Sequence, residues 1–413
     1  MKIPFSSRLP WPSHPNRLAG LLAERRAAGL PTLNLAESNP TRVGLERGAG
    51  FLAPLAAAGG LRYAPEPRGL PAAREALAAF TAAANGAPTA AIPAAGGRGA
   101  AFPRLGPERF FLCSSTSEAY GWLFKLLCEP GDAVLVPKPG YPLFDFLAGL
   151  EAVEARPYRL EYFHPKGWRI DLDSVEEALR GGRVRAIVLI HPNNPTGSYV
   201  RAEERSSLVA LAARYGAALI VDEVFLRFPV GGRAEASFAG EEGVLTFVLD
   251  GLSKLLGAPQ LKLGWIAASG PGTVLAEALG RLEIIADTYL SAGTPVMGAL
   301  PELLAAAPAF LSGLGERLRA NLATLEEILG GPDSPHRVLA CEGGWTALLE
   351  APRPASEEEL AVGLLNEEGL QTHPGYFFDM EREAYFAASL ILPGKELAEA
   401  ARRYRAYFDR LLR

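Results

Sequence analysis

The stretch GLSKLLGAPQLKLGW, residues 251–265, sets one lysine, Lys254, just past an apolar run and inside a loop of small residues. Taken alone, a Ser-Lys pair of this kind describes an ordinary surface lysine. Two further apolar runs end in the same way. RAIVLIHPNNPTG, residues 185–197, closes on an asparagine-rich turn, and AALIVDEVF, residues 217–225, closes on the carboxylates Asp222 and Glu223. The runs 185–190, 217–221 and 244–249 are short, continuous and rich in Val, Ile and Leu, the pattern of parallel strands buried on both faces. Residues 202–215 carry Leu208, Val209 and Leu211 at helical spacing, as a crossover between parallel strands requires. The expected class is α/β. Open α/β sheets bind ligands beyond the carboxyl ends of their strands, where all three polar signatures fall. They are expected to meet in one crevice.

Composition sets the bounds. With 413 residues, 49% of them hydrophobic, the chain can bury a large core and form two domains. A formal charge of -5, both signs scattered and no long basic run, gives no support for nucleic-acid or membrane-surface partners. The opening MKIPFSSRLPWPSHPN has no apolar h-region, and no apolar stretch of about 18 residues suggests a membrane span, so a cytoplasmic protein is expected. Cys113, Cys128 and Cys341 are too widely spaced for a disulfide framework or a metal site, and the five histidines show no ligand spacing. No metal is expected. The stretch Asn85 to Pro107, rich in Ala, Gly and Pro, reads as a long surface loop.

Further motifs fall in a fixed order around these three. LRYAPEPRGLPAAREAL (61–77) puts a tyrosine before a Gly-Leu helix start, CSSTSEAY (113–120) is a Ser/Thr-rich turn, and KPGYPLF (138–144) joins an aromatic to a proline. Followed by NNPTG, DEV and SK with a downstream cation, this order resembles the fold type I pyridoxal-phosphate (PLP) enzymes, in the class I/II aminotransferase family that includes the aspartate aminotransferases. The resemblance covers nearly the whole chain. It implies a large domain with a mostly parallel sheet flanked by helices, plus a smaller α+β domain from the N-terminal arm and the C-terminal segment. The corresponding divisions are an arm at 1–45, a PLP-binding domain at 46–290, a connecting helix at 291–330 and a small domain at 331–413.

The resemblance also implies roles. PLP is an aldehyde that condenses with a lysine amine, and its ring draws electrons from the substrate Cα. Lys254 matches the condensing lysine, and Asp222 matches the carboxylate against the ring nitrogen. Glu223 points to the opposite side if the strand geometry continues, and reads as a structural carboxylate. Asn194 matches the donor to the cofactor's phenolic oxygen, with a purely structural Asn-Pro turn as the alternative. Tyr141 matches the ring that stacks on the cofactor. Ser115, Thr116 and Ser117, before a helical segment, match the phosphate cup, where one of them also has the making of a helix cap. Ser253 is a further phosphate hydroxyl, and Lys262 stands where the family usually has an arginine, keeping the charge but losing the fork. Tyr63 resembles the tyrosine that reaches the neighbouring subunit's phosphate, which implies a homodimer with composite sites.

The implied reaction is ping-pong transfer of an amino group between an amino acid and a 2-oxo acid. A β-lyase, decarboxylase or acyltransferase on the same scaffold, or a non-catalytic PLP-binding regulator, are the alternatives. Three positions depart from the family pattern. Phe225 replaces a tyrosine that donates to the phenolic oxygen, and Gly251 replaces a serine of the phosphate cup. Ala387, in AYFAASLIL, stands where the family commonly has the arginine that forks onto the substrate α-carboxylate. Arg42 and Asn39, in ESNPTRVGL, lie in a segment resembling the family's substrate-lining entrance loop. Arg42 is a candidate substitute cation, with Arg382 behind it, and a solvated surface arginine is the alternative reading of each.

Overall fold

Period-two alternation organises the central sheet of the computed structural model, which describes residues 5–11, 14–63, 65–83, 103–231, 234–332 and 334–413. The strands are β1 (Phe110–Cys113), β2 (Ala133–Lys138), β3 (Glu154–Phe163), β4 (Gly167–Ile170), β5 (Val184–Ile190), β6 (Ala218–Asp222), β7 (Thr246–Gly251) and β8 (Gly264–Ser269). They lie in the order β1-β8-β7-β6-β5-β2-β3-β4. From β7 through β3 neighbours run parallel. β8 runs antiparallel to both β7 and β1, and β4 antiparallel to β3.

Alternate side chains enter different cores. In β5, Ile187 and Leu189 join one apolar cluster while Ala186, Val188 and Ile190 join another. In β6, Leu219 and Val221 face the first cluster and Ala218 and Ile220 the second. Both faces are therefore dry, which is why these strands read as unbroken apolar runs. The crossover helix Ala202–Tyr215 covers the first face through Leu208 and Ala212. Helices Thr116–Leu127 and Gly272–Tyr289 cover the second, through Trp122, Leu123, Leu275 and Leu282.

The last quarter of the chain builds a four-stranded antiparallel sheet, in the order Arg337–Val338, Thr346–Glu350, Tyr385–Ser389 and His373–Pro374. The N-terminal arm is tied to this part. Leu33–Asn34 pairs in parallel with Leu370–Gln371, and Ser389 N donates to Leu35 O at 2.7 Å. The connecting helix expected at 291–330 is instead two helices, Thr294–Ala305 and Ala307–Leu329, meeting at 64°. Pro308 accounts for the break, since it lacks an N–H and its ring excludes the carbonyl four residues earlier. This bent pair passes a membrane-span test on composition, but Leu300, Leu303, Phe310, Leu314 and Leu318 lie in the core, and among the described residues no single helix is long and apolar enough to cross a membrane. Of the expected loop Asn85 to Pro107, residues 85–102 lie outside the described residues.

One helix stitches these parts together. Asn321, buried in the helix Ala307–Leu329, donates from Nδ2 to Leu390 O and Leu392 O, both at 2.8 Å. Arg317 donates to Val43 O at 2.8 Å and Ile391 O at 3.1 Å, joining the arm to the end of the last strand. Asn321→Ala leaves buried carbonyls without a donor and is expected to lower the unfolding free energy by about 2 kcal/mol, read by urea denaturation. A loss below about 0.5 kcal/mol, the range of an ordinary surface substitution, would show the tie to be dispensable.

Candidate active site

The register of three adjacent strands assembles the site. Ile190 pairs with Asp222, and Asp222 with Leu249, so the turn after β5, the acid at the end of β6 and the lysine loop after β7 emerge side by side. The ladder runs one step further, with His191 N donating to Asp222 O and Glu223 N to Leu249 O, each at 2.8 Å. In the turn 191–197, Asn193 is the bracing residue. Its Nδ2 donates to Pro139 O at 3.2 Å and Thr196 Oγ1 at 2.9 Å. Asn194 alone, between His191 and Val200, is not buried. Gly197 has φ +68°, and an added Cβ would lie 2.5 Å from Cys341 Sγ. Its carbonyl accepts from Glu342 N and Gly343 N at 3.0 and 2.9 Å, which pins the asparagine turn to the loop that carries Trp345.

Alternation separates the two carboxylates. Asp222 follows Ile220 onto the face of the helix Thr116–Leu127, where Tyr120 Oη donates to Oδ2 and Val224 N to Oδ1, both at 3.2 Å. Burial pushes its pKa up to about 6, against those two hydrogen bonds and the charge of Lys254. Glu223 turns to the other face and accepts from Ser237 Oγ and Phe238 N, each at 2.6 Å. Burial raises it to about 8. A third carboxylate, Asp250, accepts from Gly251 N at 2.7 Å and is pushed up to about 7 by burial, with Arg227 opposing and Asp222 adding.

Lys254 sits on the short helical turn Leu252–Leu255. The loop around it is held by Leu252 N donating to Leu263 O at 2.9 Å and Ala258 N to Leu252 O at 3.2 Å. Burial lowers the lysine's pKa and Asp222 opposes that shift. Its Nζ lies 5.0 Å from the centroid of the Trp345 ring and 5.6 Å from that of Phe225. An amine whose charge burial disfavours and a nearby carboxylate favours is the arrangement a nucleophilic or proton-transferring lysine needs.

Close backbone approach forms an anion cradle next to this lysine. Gly264 pairs with both Cys113 and Gly251, so the ends of β1 and β7 flank it. An added Cβ at Gly264 would lie 3.2 Å from Ser115 C and 3.3 Å from Thr116 N. One at Gly251 would lie 3.0 Å from both Gly264 Cα and Leu263 O. The missing hydroxyl at 251 thus has a steric reason. Ser115 caps the helix through Oγ, accepting from Glu118 N at 3.1 Å, and Thr116 and Ser117 open it. Their N–H groups precede the helical ladder and are free for an anion. Ser253 is half-buried on the lysine turn, and Lys262 is exposed at the left-handed end of the next turn.

Tyr141 packs edge-on against Phe144, which packs likewise against Tyr120, at 6.2 and 5.3 Å between centroids. Burial raises the Tyr141 phenol, and the charge of Asp222 adds to the shift. Tyr63 is 78% exposed and lines a shallow cleft with Trp122, Leu290 and Met297. Asn39 Oδ1 caps the turn Pro40–Arg42, accepting from Thr41 N at 3.0 Å. Arg42 is exposed and lies 3.8 Å from Glu37, and Arg382 is exposed as well. Ala387 pairs with Leu348 and His373 and packs in an apolar cluster with Trp168 and Phe378. Sequence reasoning passed over Tyr120, Asp250 and Trp345. Tyr120 had a signal, since it stands one helical turn beyond Thr116.

Two substitutions test this geometry. Asp222 has a folded pKa of about 6, above its ordinary 3.8, so the folded state holds its proton more tightly than the unfolded chain. Its contribution is fully present below pH 3.8 and is lost as pH rises through about 6. Asp222→Asn cannot ionise, and the cofactor-free variant is expected to be more stable than wild type above pH 6 and no more stable in acid, by thermal melting across pH. A variant less stable throughout would contradict the electrostatic account. Gly251→Ser, although it restores the family's hydroxyl, is expected to cost about 1–3 kcal/mol of stability through the Gly264 contact, and an unchanged melting temperature would show that the cradle has slack.

Comparison with known proteins places the chain. The family model for aminotransferase class I and II matches residues 33–403. Nicotianamine aminotransferase 1 of Oryza sativa subsp. japonica is 30% identical over 49% of this chain and 41% of its own length. An S-alkyl-thiohydroximate lyase of Arabidopsis thaliana is 32% identical over 49% of this chain and 44% of its own. The matches thus span less than half the length of these relatives. An alanine aminotransferase from Pyrococcus furiosus superposes with a TM-score of 0.83 at 21% identity, over 98% of this chain and 100% of that one. That superposition shows a shared fold, and the family model, spanning most of the chain, shows that the chain belongs to the aminotransferase class I and II family.

Proposed function

We propose that this chain is a PLP-dependent aminotransferase that moves an amino group between an amino acid and a 2-oxo acid by a ping-pong mechanism. The observation that carries this reading is the coupling of Lys254 to Asp222 at neighbouring strand ends, beside a helix N-terminus cleared of side chains by Gly251 and Gly264. The residues fit the cofactor. Thr116, Ser117 and Ser115 would hold its phosphate with Ser253 and Lys262, Asn194 its phenolic oxygen, Tyr141 its ring face and Asp222 its ring nitrogen. When bound, PLP supplies an aldehyde that condenses with amines and a ring that draws electrons from the substrate Cα.

The chain supplies the rest. Asp222, its oxygens fixed by Tyr120 Oη and Val224 N, holds a proton between itself and the ring nitrogen. Lys254 Nζ, its charge disfavoured by burial, takes the proton from the substrate Cα and later returns one, as general base and then acid. Trp345 and Phe225 present their rings to that nitrogen at 5.0 and 5.6 Å. The exposed Tyr63 fits a homodimer in which each copy completes the other's phosphate site. Residues 46–290 make the cofactor-binding domain, and 1–45 with 331–413 the smaller one, joined through 291–330.

The lyase among the relatives, with Ala387 in its apolar cluster, favours one second reading, a β-lyase that accepts an amino acid without an arginine fork. One experiment separates the two. PLP-loaded protein is mixed with single amino acids, without acceptor, while absorbance is followed and products are identified. Conversion of the cofactor to pyridoxamine phosphate is expected, and its absence with Lys254→Ala. Release of ammonia and a 2-oxo acid with the cofactor unchanged would establish the lyase, and an intact Lys254→Ala rate would overturn both.

A further inference from the structure

Phe225 takes the place of a hydroxyl donor, and the structure shows what stands beside it. Phe225, Phe228 and Trp345 form a set of edge-on rings, with centroids 5.6 Å apart for Phe225 and Trp345 and 5.3 Å for Phe228 and Trp345. Backbone bonds fix the set. Phe228 N donates to Phe225 O at 3.0 Å, Gly344 N to Phe228 O at 2.9 Å, and Leu390 N to Trp345 O at 2.8 Å. Trp345 is buried, yet its indole Nε1 has no hydrogen-bond partner among the described residues. A tryptophan whose polar atom is unused contributes through its ring. That ring and Phe225 both lie within about 6 Å of Lys254 Nζ, the range in which an aromatic face attracts a cation.

We propose that Phe225 and Trp345 form an aromatic box that keeps positive charge on the Lys254 nitrogen, in place of the hydroxyl the family carries at Phe225. The usual tyrosine donates to an oxygen next to this nitrogen and so favours its unprotonated form. Two rings do the opposite. Trp345 is thereby a positioning residue for charge. Its use rests on the aminotransferase reading, because a proton on this nitrogen polarises the carbon to which it is joined once the cofactor is bound. The box itself exists without cofactor.

The other groups acting on Lys254 are few. Burial disfavours its charge and Asp222 at the end of β6 favours it; Tyr120 and Val224 hydrogen-bond Asp222, which acts in turn on Asp250 and Tyr141, while Arg227 acts on Asp250. The test therefore reads the lysine directly in cofactor-free protein. The rate at which Lys254 is acylated by acetic anhydride is followed against pH by peptide mass mapping, in wild type, Trp345→Leu, Trp345→Phe and Phe225→Leu. The box predicts that Trp345→Leu and Phe225→Leu lower the midpoint by about half to one pH unit, and that Trp345→Phe restores most of the wild-type value. A role limited to excluding water has the opposite sign, since admitting water raises a buried lysine's midpoint. An unchanged or raised midpoint in Trp345→Leu overturns the box, whether or not the protein transaminates. A lowered midpoint in a protein that never forms pyridoxamine phosphate leaves the box standing and removes its use.

Discussion

Burial of β5, β6 and β7 on both faces is the constraint from which the site follows. A strand with two dry faces has nowhere to place a charge until it ends, so the first polar residue of each strand appears at the sheet's rim. Because register fixes where neighbouring strands end, the three rims coincide. Alternation then sends Asp222 and Glu223, adjacent in sequence, into different surroundings: one beside the lysine, the other into a closed set of hydrogen bonds. Chemistry and structure are divided by a single step along the chain.

Much of this was legible beforehand. The strands β5 and β6 were found within a residue of their ends, because unbroken Val, Ile and Leu runs have few other homes. The Ser115 cap followed from residue type. What escaped detection depends on distance in sequence. Trp345 reaches Lys254 from about ninety residues away, through a loop held by Gly197, and no local pattern announces that contact. Asp250 follows the apolar run 244–249 with no local signal, since its meaning comes from Arg227 and Asp222 on other segments. The helix break at Pro308 was legible and was passed over in favour of the Ala- and Leu-rich composition around it.

The departures from the family pattern have different physical characters. Gly251 is steric, because the backbone of β8 occupies the space a side chain would take. Phe225 is electronic, exchanging a hydrogen-bond donor for a ring face. Ala387 is compositional: Trp168, Leu348, Phe378 and Tyr385 surround it with apolar surface, so the place of a charged fork is held by a greasy wall. A substrate carboxylate has little to gain at that wall.

The pairing of Leu33–Asn34 with Leu370–Gln371 has a mechanical consequence. With Ser389 bonded to Leu35 and to the Glu37 carbonyl, the segment bearing Asn39 and Arg42 is welded to the strand bearing Ala387. Asp222 ends a strand of the eight-stranded sheet, and Lys254 sits on the short helical turn after the neighbouring strand. The entrance loop and the apolar wall therefore form one jaw, and the loop carrying Trp345, bonded to Gly197 on one side and to Leu390 on the other, ties that jaw to the strand ends beside the lysine.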